Sequence, residues 1–477
     1  MKTLQNLIGG KWVDSHSVSL HDLVNPATED VIARYPGGSA DDVDRAVDAA
    51  VEAQPGWAEL PVAERVEYLT RWAAEIADHA EELAELECRE MGKPVALGRT
   101  FIEGGVHGFR AAVEEALTYP FVETLPGADG SGTTILRHPL GATAVITPWN
   151  FPVPMVLGAL GPLLASGNTV VVKPSERSPL STARLFELST LPPGVVNLVL
   201  GDARAGAPLA EHGQIRLVHF TGSVEAGRRI GAGTGGRLCR SILELGGKDP
   251  VIVDSGVDPV ATAAAVAFGA FVNTGQICTS MERIYVHQDI AEAFVDALVH
   301  IASTYTLGDG HDADTVLGPL VDARQRDIVH GHVTDAVERG ARVHTGGAIP
   351  QRKGFFYPAT VLTDVDDSML VMTEETFGPI APIVVVSSFE EALERAGSSR
   401  FALGATVYTH NPDHAAAAAR IPAGVTWINQ WQGGGPERLY EPAGDSGMGA
   451  TGARAAYDAA TRPATIHTAP ATASTLS

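Results

Sequence analysis

Two short segments of the chain carry side chains that suit a reaction at a carbonyl group. Cys278 lies in Gly-Gln-Ile-Cys-Thr-Ser at 275–280, after small residues that predict a loop, and Glu244 lies in Leu-Glu-Leu-Gly-Gly-Lys at 243–248. A thiol that attacks a carbonyl carbon and a carboxylate that activates water are the two parts of a covalent route from an aldehyde to an acid. The pair therefore predicts a reaction as well as a fold.

Each of these residues also has a structural alternative. A cysteine in an apolar chain is more often packed and unreactive, and this interpretation is kept for Cys88 and Cys239. Glu244, flanked by apolar residues, could be a buried ion-pair partner of Lys248. If Glu244 is instead a base, partial burial should raise its pKa towards a useful range.

Four further segments, taken with these two, carry a resemblance to a known family. In chain order the six are Thr-Pro-Trp-Asn-Phe-Pro at 147–152, Lys-Pro-Ser-Glu at 173–176, Phe-Thr-Gly-Ser at 220–223, the two segments above, and Glu-Glu-Thr-Phe-Gly-Pro at 374–379. The chain resembles the aldehyde dehydrogenase superfamily over nearly its whole length. One such segment is weak support, whereas six in the family's order make a chance match improbable.

The resemblance implies a role for three residues. Cys278 matches the nucleophile that forms a thiohemiacetal, and Asn150, with the backbone N–H of Cys278, matches the donors to its oxyanion. Without the resemblance, Asn150 would be assigned to a turn before a proline-rich loop. After hydride transfer to a nicotinamide, Glu244 would activate the water that hydrolyses the thioester. Enzymes of the family that pass the acyl group to coenzyme A typically lack this glutamate, so hydrolysis to the free acid is expected.

The cofactor site cannot be argued from a dinucleotide fingerprint, because no G-x-G-x-x-G follows a strand. The resemblance implies NAD, held partly by Ser223 and backbone N–H groups at a helix start. The carboxylate of Glu176 would accept a hydrogen bond from a ribose hydroxyl and repel a 2′-phosphate, which favours NAD over NADP. Without the resemblance, Lys173 and Glu176 could be a solvated ion pair. The positions matched to the cofactor are Thr147, Pro148, Trp149, Lys173, Ser175, Glu176, Gly201, Phe220, Thr221, Gly222, Ser223, Leu245, Gly246, Glu375 and Phe377.

The predicted substrate pocket departs from the family. Many relatives carry a bulky or basic residue eight positions past the asparagine and a lysine one further, where this chain has Gly158 and Ala159. The entrance should be wider, and an anchor for a carboxylate-bearing substrate is missing. A medium aliphatic or aromatic aldehyde is expected. Because Glu437, Arg438 and Tyr440 could add polar groups to the pocket, small hydroxyaldehydes and semialdehydes are kept as alternative substrates. The predicted pocket residues are Phe151, Met155, Gly158, Ile277, Thr279 and Trp431.

Two rival functions share the same resemblance. One is an aldehyde dehydrogenase that makes acyl-coenzyme A, and the other is a non-enzymatic relative that keeps the fold. The simultaneous presence of Cys278, Glu244 and Asn150 argues against the second, since a binding protein has no need of all three.

Composition limits the partners. The formal charge of −23 disfavours nucleic acid and anionic membranes, and prolines interrupt the one long uncharged segment, 141–172, so no membrane span is predicted. Three cysteines without a C-x-x-C favour neither disulfides nor zinc, and the histidines lack metal spacing, so no metal is predicted. With no secretory signal, a cytoplasmic location is the simplest expectation.

The fold that must position these residues is α/β. Strand-like runs at 142–147, 169–173, 195–200, 217–220 and 242–245 alternate with helices and predict a mainly parallel, doubly wound sheet that binds the cofactor. A second alternating series predicts an α/β catalytic domain. The predicted units are 1–118 with 139–247 for NAD, 248–446 for catalysis, and 119–138 with 447–477 for a β arm and C-terminal strand. In the family this arm pairs with a neighbouring subunit, which implies a homodimer or homotetramer; residues 469–477 are expected to be a frayed tail.

Overall fold

The computed structural model describes residues 2–128, 131–435 and 438–469. Its strands are β1 (Asn6–Ile8), β2 (Lys11–Val13), β3 (Leu20–Val24), β4 (Val31–Pro36), β5 (Val122–Pro126), β6 (Gly132–Pro139), β7 (Ala142–Ile146), β8 (Thr169–Lys173), β9 (Val196–Leu198), β10 (Leu217–Thr221), β11 (Arg240–Glu244), β12 (Asp249–Val253), β13 (Met281–His287), β14 (Arg342–Thr345), β15 (Thr360–Thr363), β16 (Ile380–Val386), β17 (Phe401–Ala402), β18 (Gly404–Tyr408), β19 (Val425–Ile428), β20 (Ala443–Gly444), β21 (Gly447–Met448) and β22 (Thr461–Thr468).

Helices surround these strands. They are α1 (Ala40–Glu59), α2 (Val62–Asp78), α3 (Ala80–Met91), α4 (Val95–Glu115), α5 (Pro152–Ala165), α6 (Pro179–Glu187), α7 (Ala203–Glu211), α8 (Val224–Gly236), α9 (Pro259–Phe271), α10 (Ala291–Thr304), α11 (Ala323–Glu338), α12 (Leu370–Thr373), α13 (Phe389–Gly397), α14 (Pro412–Ala417) and α15 (Ala453–Ala460), with 3-10 turns at Val272–Gly275 and Ala418–Arg420. None of the described helices is long and apolar enough to cross a membrane.

The first sheet has the order β2-β1-β9-β8-β7-β10-β11-β21. Its five central strands, from β9 to β11, are parallel, and the outer pairings are antiparallel. Alternate side chains of β7 serve opposite faces: Ala144 and Ile146 pack with α1 and α7, whereas Val145 packs with the helices α2 to α6. The predicted doubly wound α/β architecture is therefore confirmed.

The second sheet has the order β14-β15-β16-β13-β12-β18-β19 and is parallel except for the β14–β15 pair. It also has a hydrophobic core on each face, since Ile252 of β12 joins one cluster and Val251 and Val253 join the other. Strand β15 was not predicted from the sequence. The predicted α/β catalytic lobe is seen as this second layered unit.

A third, antiparallel sheet consists of β22, β6 and β5. Strands β22 and β6 pair along eight residues, from Thr461 opposite Pro139 to Thr468 opposite Gly132. At its base Tyr119 stacks on Tyr457, with ring centroids 4.9 Å apart. This is the segment for which the sequence predicted a β arm; the domain boundaries and the pairing between subunits stay predictions. The predicted arm includes residues 129–130, and the predicted tail includes residues 470–477; both segments lie outside the described residues.

The apolar spacing over residues 62–89 suits a continuous amphipathic helical region, but the structure divides this region into two helices. Helices α2 and α3 meet at His79, which has φ −110° and ψ 16°. Its backbone N–H bonds to the carbonyls of Ile76 and Ala77, which closes α2 before α3 begins. The pattern of apolar residues did not show this break because both helices bury a face in the same core.

Candidate active site

The carboxyl ends of the central strands bring the candidate residues of the first sheet together. Ile146, the last residue of β7, lies opposite Phe220 of β10, and Thr221 lies opposite Glu244 at the end of β11. The predicted segments that follow these strands therefore start at one edge of the sheet. In open α/β sheets this edge is where ligands bind.

A strained turn carries the cysteine. Asn273, Thr274 and Gly275 all have positive φ, at 52°, 58° and 70°. A side chain at 275 is also excluded by space, because its Cβ would lie 2.1 Å from the carbonyl oxygen of Gly378. Left-handed backbone costs energy at non-glycine residues, so Asn273 and Thr274 must be held in this conformation by their surroundings. The turn ends just before Cys278 and fixes the entry of the chain into that position.

Asn150 is joined to this turn by two hydrogen bonds. Its Nδ2 donates to the backbone carbonyl of Gln276 at 2.9 Å, and its own backbone carbonyl accepts from Nδ2 of Asn273 at 3.3 Å. The amide of Asn150 is buried. An NH2 group has two hydrogens, so one remains for a ligand after the bond to Gln276. The turn-residue interpretation of Asn150 thus accounts for only part of its bonding.

Glu244 is buried at the carboxyl end of β11. Burial raises the pKa of its carboxyl to about 8, although the hydroxyls of Thr451 and Tyr440 oppose the shift. Thr451 Oγ1 donates to Glu244 Oε1 at 3.3 Å. Lys248, the partner considered from the sequence, instead bonds to Glu282 at 2.6 Å. A carboxyl with a pKa near neutrality can gain and lose a proton during a reaction.

The glycine pair after Glu244 lets the two candidate segments meet. A Cβ on Gly247 would lie 2.2 Å from the carbonyl oxygen of Cys278, so the backbones are in contact there. Glu244 and Cys278 also line one cavity of about 680 Å³. Two residues predicted to act in successive steps are therefore brought together from different sheets.

The environment of Cys278 keeps its thiol protonated in the cofactor-free protein. Burial raises the pKa of Cys278 well above its usual range, and the carboxylates of Asp249, Glu375 and Glu244 raise it further. Its backbone N–H has no hydrogen-bond partner in the part of the chain that the structure describes. This N–H is thus available to an oxyanion, while attack by sulfur first requires loss of a proton.

Glu375 and Phe377 lie where the two lobes meet. Glu375 Oε1 accepts from the backbone N–H of Gly247 at 2.9 Å, and burial raises the pKa of Glu375 to about 8. Phe377 has φ 51° and packs edge-on against Trp149, with ring centroids 5.3 Å apart. The carboxylate of Glu282 accepts the backbone N–H of Phe377 at 2.9 Å, which holds this conformation.

Lys173 is buried at the end of β8 and is not part of a simple surface ion pair. Its Nζ donates to the carbonyls of Pro174 at 2.6 Å and Gly201 at 2.8 Å. The Glu176 carboxylate lies 3.9 Å from the same nitrogen, with 39% of its side chain exposed. A half-exposed carboxylate beside a fixed lysine can meet the hydroxyls of a ligand.

The remaining predicted cofactor residues lie at or just after the ends of β7, β8, β10 and β11, and Ser223 leads into helix α8. Ser223 caps this helix by accepting the N–H of Ala226 at 3.4 Å, and a Cβ on Gly227 would lie 2.4 Å from Leu245. Thr147 Oγ1 is buried without a partner among the described side chains and backbone groups. A free hydroxyl and a helix N-terminus both suit a phosphate-bearing ligand. Ser175 and Thr221 are buried, and Pro148 directly follows Thr147. The ring of Phe220 packs against Gly222, and the carboxylate of Glu375 packs against Gly246.

The predicted pocket residues fall into two groups. Met155, Gly158 and Thr279 line the cavity that holds Cys278 and Glu244. Phe151, Ile277 and Trp431 instead belong to a small apolar cluster with Val272. Trp431 Nε1 donates to the backbone carbonyl of Thr279 at 3.0 Å, and Gln432 Nε2 donates to Thr279 Oγ1 at 2.7 Å. Trp431 therefore supports Thr279, and the apolar cluster adjoins the cavity through Met155, which belongs to both.

Arg438 and Tyr440, which the sequence suggested as polar contributors, line the cavity, whereas sequence reasoning missed other lining residues: Gly104, His107 and Gly108 of α4, His219 of β10, Trp427 and Tyr457. A Cβ added at Gly104, Gly108 or Gly158 would meet nothing within 4 Å. The cavity is wide because α4 and α5 both present glycine to it. The spacing of Gly104 and Gly108, four residues apart on one helix face, was the signal that could have found them.

Outside this cleft, a mixed cluster surrounds Cys88. His311 Nδ1 lies 3.5 Å from Cys88 Sγ and 2.8 Å from an oxygen of Asp309, and these three could hold a metal ion. Burial raises the pKa of Cys88, which agrees with a protonated, packed thiol. The expectation that the protein binds no metal stays a prediction.

The chain is similar to known proteins along nearly its whole length. A model described as "Aldehyde dehydrogenase family" matches residues 12–466. The chain is 37% identical to lactaldehyde dehydrogenase of Escherichia coli (strain K12), over 89% of this chain and 90% of the other. It is 35% identical to succinate-semialdehyde dehydrogenase (NADP+) GabD of the same strain, over 85% of each chain. A crystal structure of PnpE in complex with nicotinamide adenine dinucleotide matches at a TM-score of 0.95 and 36% identity, over 98% of each chain.

Proposed function

This chain belongs to the aldehyde dehydrogenase family, whose members oxidise aldehydes with NAD or NADP, and we propose that it uses NAD to make the free acid. In this proposal Cys278 is the nucleophile, Asn150 an oxyanion donor and Glu244 the base. The observation that carries it is the shared cavity of Cys278 and Glu244, with Gly247 in contact with the backbone of Cys278. The overall change is aldehyde, NAD+ and water to carboxylic acid, NADH and a proton.

The first step is attack of sulfur on the aldehyde carbon. Cys278 loses its proton, a C–S bond forms, and the carbonyl electron pair moves to oxygen as a thiohemiacetal alkoxide. The free hydrogen of the Asn150 amide and the unpartnered N–H of Cys278 are suited to stabilise that alkoxide. The thiol proton passes to water in the cavity that Cys278 lines.

Collapse of the alkoxide then releases a hydride and leaves a thioester on Cys278. A dinucleotide held beside Glu375 and Phe377 would supply the acceptor for that hydride. Glu244 next takes a proton from water while the water oxygen attacks the thioester carbon. The C–S bond breaks, sulfur leaves as thiolate, and the acid is released. A pKa of about 8 lets Glu244 accept this proton near neutral pH and return it to solvent.

NAD is proposed over NADP because of the charges near the expected ribose position. Glu176 is half exposed beside Lys173 and would repel a 2′-phosphate. Arg204, which could otherwise attract a phosphate, is already paired with Asp202 at 2.9 Å. The similarity to an NADP-dependent relative shows that the family alone does not decide this choice.

For the substrate we propose a medium aliphatic or aromatic aldehyde. The cavity of about 680 Å³ is larger than a three-carbon aldehyde requires, and its lining includes several glycines and alanines. The alternative, a small hydroxyaldehyde or a semialdehyde, is supported by similarity to the lactaldehyde and succinate-semialdehyde dehydrogenases. Comparing kcat/KM for acetaldehyde, lactaldehyde, succinate semialdehyde, octanal and benzaldehyde separates these cases.

The assembly and location are also proposals. The β5–β6–β22 sheet exposes Val122 and Ile466, with 64% and 54% of their surface accessible, and could pair with a second copy to form a homodimer or homotetramer. Light scattering would give the mass. A cytoplasmic location agrees with three free cysteines.

One assay separates the proposed reaction from its rival. NADH formation from octanal is measured with and without coenzyme A, and the product is identified by mass spectrometry. We expect NADH and octanoic acid without coenzyme A. An absolute requirement for coenzyme A, with octanoyl-coenzyme A as product, would contradict hydrolysis. Binding of NAD without turnover of any aldehyde would support a non-enzymatic relative.

A further inference from the structure

His219 is a buried histidine on the wall of the catalytic cavity. It lies on β10, two residues before Thr221, and is opposite Ile242 in the register that places Thr221 opposite Glu244. Side chains two apart on a strand share a face, and all four of these residues line the cavity. From strand geometry, the backbone of His219 lies roughly 8 Å from that of Glu244. His219 therefore lies two residues farther from the carboxyl ends of the strands than the proposed base, Glu244.

The two ring nitrogens of His219 are in different surroundings. Nδ1 is buried and has no hydrogen-bond partner among the described residues. Nε2 also has no partner in the described ranges, but it is not among the fully buried atoms. The part of the ring that meets the cavity therefore carries Nε2.

The neutral ring has its proton most favourably on Nε2. A neutral imidazole carries one N–H, and a buried N–H without a partner costs the full desolvation of that donor. Cavity water can solvate an N–H at Nε2 but cannot reach Nδ1. Burial also lowers the pKa of His219 to about 4, so the ring is uncharged at neutral pH. His219 therefore presents one neutral donor to the cavity.

The surroundings of this donor are mainly apolar. Ala159, Leu163, Ile242 and Tyr457 line the cavity together with His219. Besides His219, the titratable or charged side chains that line the whole cavity are Glu244, Cys278, Tyr440, Tyr457, His107, Glu115 and Arg438. Burial lowers the pKa of His219, with no charged neighbour contributing. A carboxylate placed beside this neutral ring would be desolvated without a compensating cation.

We propose that His219 selects aldehydes that carry an uncharged acceptor oxygen, such as an ether, ketone or hydroxyl, several bonds from the carbonyl carbon. The oxygen accepts a hydrogen bond from Nε2–H while the aldehyde reaches Cys278. The open space at Gly104, Gly108 and Gly158 gives a substrate of that length room beside the ring. This inference rests on the proposed aldehyde oxidation and names its substrate class.

The test is an oxygen scan of one substrate. Octanal is compared with analogues in which a CH2 at position 5, 6 or 7 is replaced by oxygen, and kcat/KM is measured from NADH formation. Without a donor, the ether is disfavoured because it is less hydrophobic. With His219 we expect at least one ether to exceed octanal by about 3- to 10-fold. The preference should be constant from pH 6 to 9, because the ring remains neutral.

Three variants complete the experiment. His219→Leu should abolish the ether preference and leave octanal turnover within about twofold. His219→Gln, which restores an N–H donor, should recover part of the preference, and it guards against a folding defect of the leucine variant. His107→Leu is the matched control, because His107 also lines the cavity, and it should keep the preference.

Two results would overturn the inference: no ether preferred over octanal by the unmodified enzyme, or an ether preference that survives His219→Leu. Failure of the proposed function looks different. In that case octanal itself would yield no NADH in any of the proteins.

Discussion

The side-chain amide of Asn150 donates a 2.9 Å hydrogen bond to the backbone carbonyl of Gln276, two residues before Cys278. This bond joins the loop after β7 of the first sheet to the strained turn that precedes β13 of the second. The proposed oxyanion donor and nucleophile are thereby fixed relative to each other, although they belong to different lobes.

Replacing Asn150 by alanine removes this bond and the proposed oxyanion donor. We expect Asn150→Ala to lower kcat by about 100- to 1000-fold, with NAD binding retained. Steady-state NADH formation and NAD titration by fluorescence measure the two effects. A decrease in kcat of less than tenfold, in a variant that still folds, would remove Asn150 from the catalytic role.

Hydrolysis of the thioester should depend on pH through Glu244. Burial raises the pKa of this carboxyl to about 8, and only the ionised form can accept a proton from water. Deacylation should therefore rise about tenfold per pH unit below 8 and level off above it. Single-turnover measurement of acid release from pH 6 to 10 gives the profile.

Thr451→Val provides the matched control for that profile. Thr451 donates to Glu244 and so stabilises its ionised form; its removal should move the midpoint to higher pH. A midpoint that stays fixed, or one near pH 4.5, would contradict the assignment of the profile to Glu244.

The positions of these residues follow from sequence only in part. The strand at 169–173 was predicted with the bounds that β8 has, because a continuous β-branched run identifies a buried parallel strand. The loop residues were assigned by resemblance. Their contacts, such as that of Gly247 with Cys278, join segments far apart in the chain and leave no periodic signal.

The cavity was the hardest feature to predict. Trp431 was expected to line it, yet its indole donates to Thr279 and packs edge-on against Phe268. Trp427, four residues earlier, lines the cavity instead. Both are aromatic residues of the segment that begins at β19, and the contact of Trp431 with Phe268 of α9 leaves no signal in the sequence.

The width of the cavity can be tested at Gly158. We expect Gly158→Trp to lower kcat/KM for octanal by roughly 10- to 100-fold, because the indole fills space that the chain of the substrate needs. Acetaldehyde should change by less than about threefold. Gly158→Ala is the control and should behave like the unmodified enzyme, since its Cβ meets nothing within 4 Å. Equal losses for both aldehydes in Gly158→Trp would argue against this location of the substrate.

Cofactor preference can be tested at Glu176. Its carboxylate lies 3.9 Å from Lys173 Nζ and should repel a 2′-phosphate. We expect Glu176→Ser to raise kcat/KM for NADP by about tenfold and to lower kcat/KM for NAD. Glu187→Ser, at a carboxylate paired with Lys2 far from the strand ends, is the control. An unchanged ratio of NAD to NADP would count against a ribose contact.

The proposed mechanism requires a covalent acyl group on Cys278 that is hydrolysed by water activated by Glu244. Glu244→Gln is mixed with NAD and octanal, NADH is followed by stopped flow, and the protein is analysed by peptide mass spectrometry. We predict one equivalent of NADH per active site, then a stall, with the octanoyl group on the peptide that contains Cys278. Cys278→Ala should give no NADH while still binding NAD. Continued turnover by Glu244→Gln at the rate of the unmodified enzyme, or an acyl group found on Cys88 or Cys239, would contradict the mechanism.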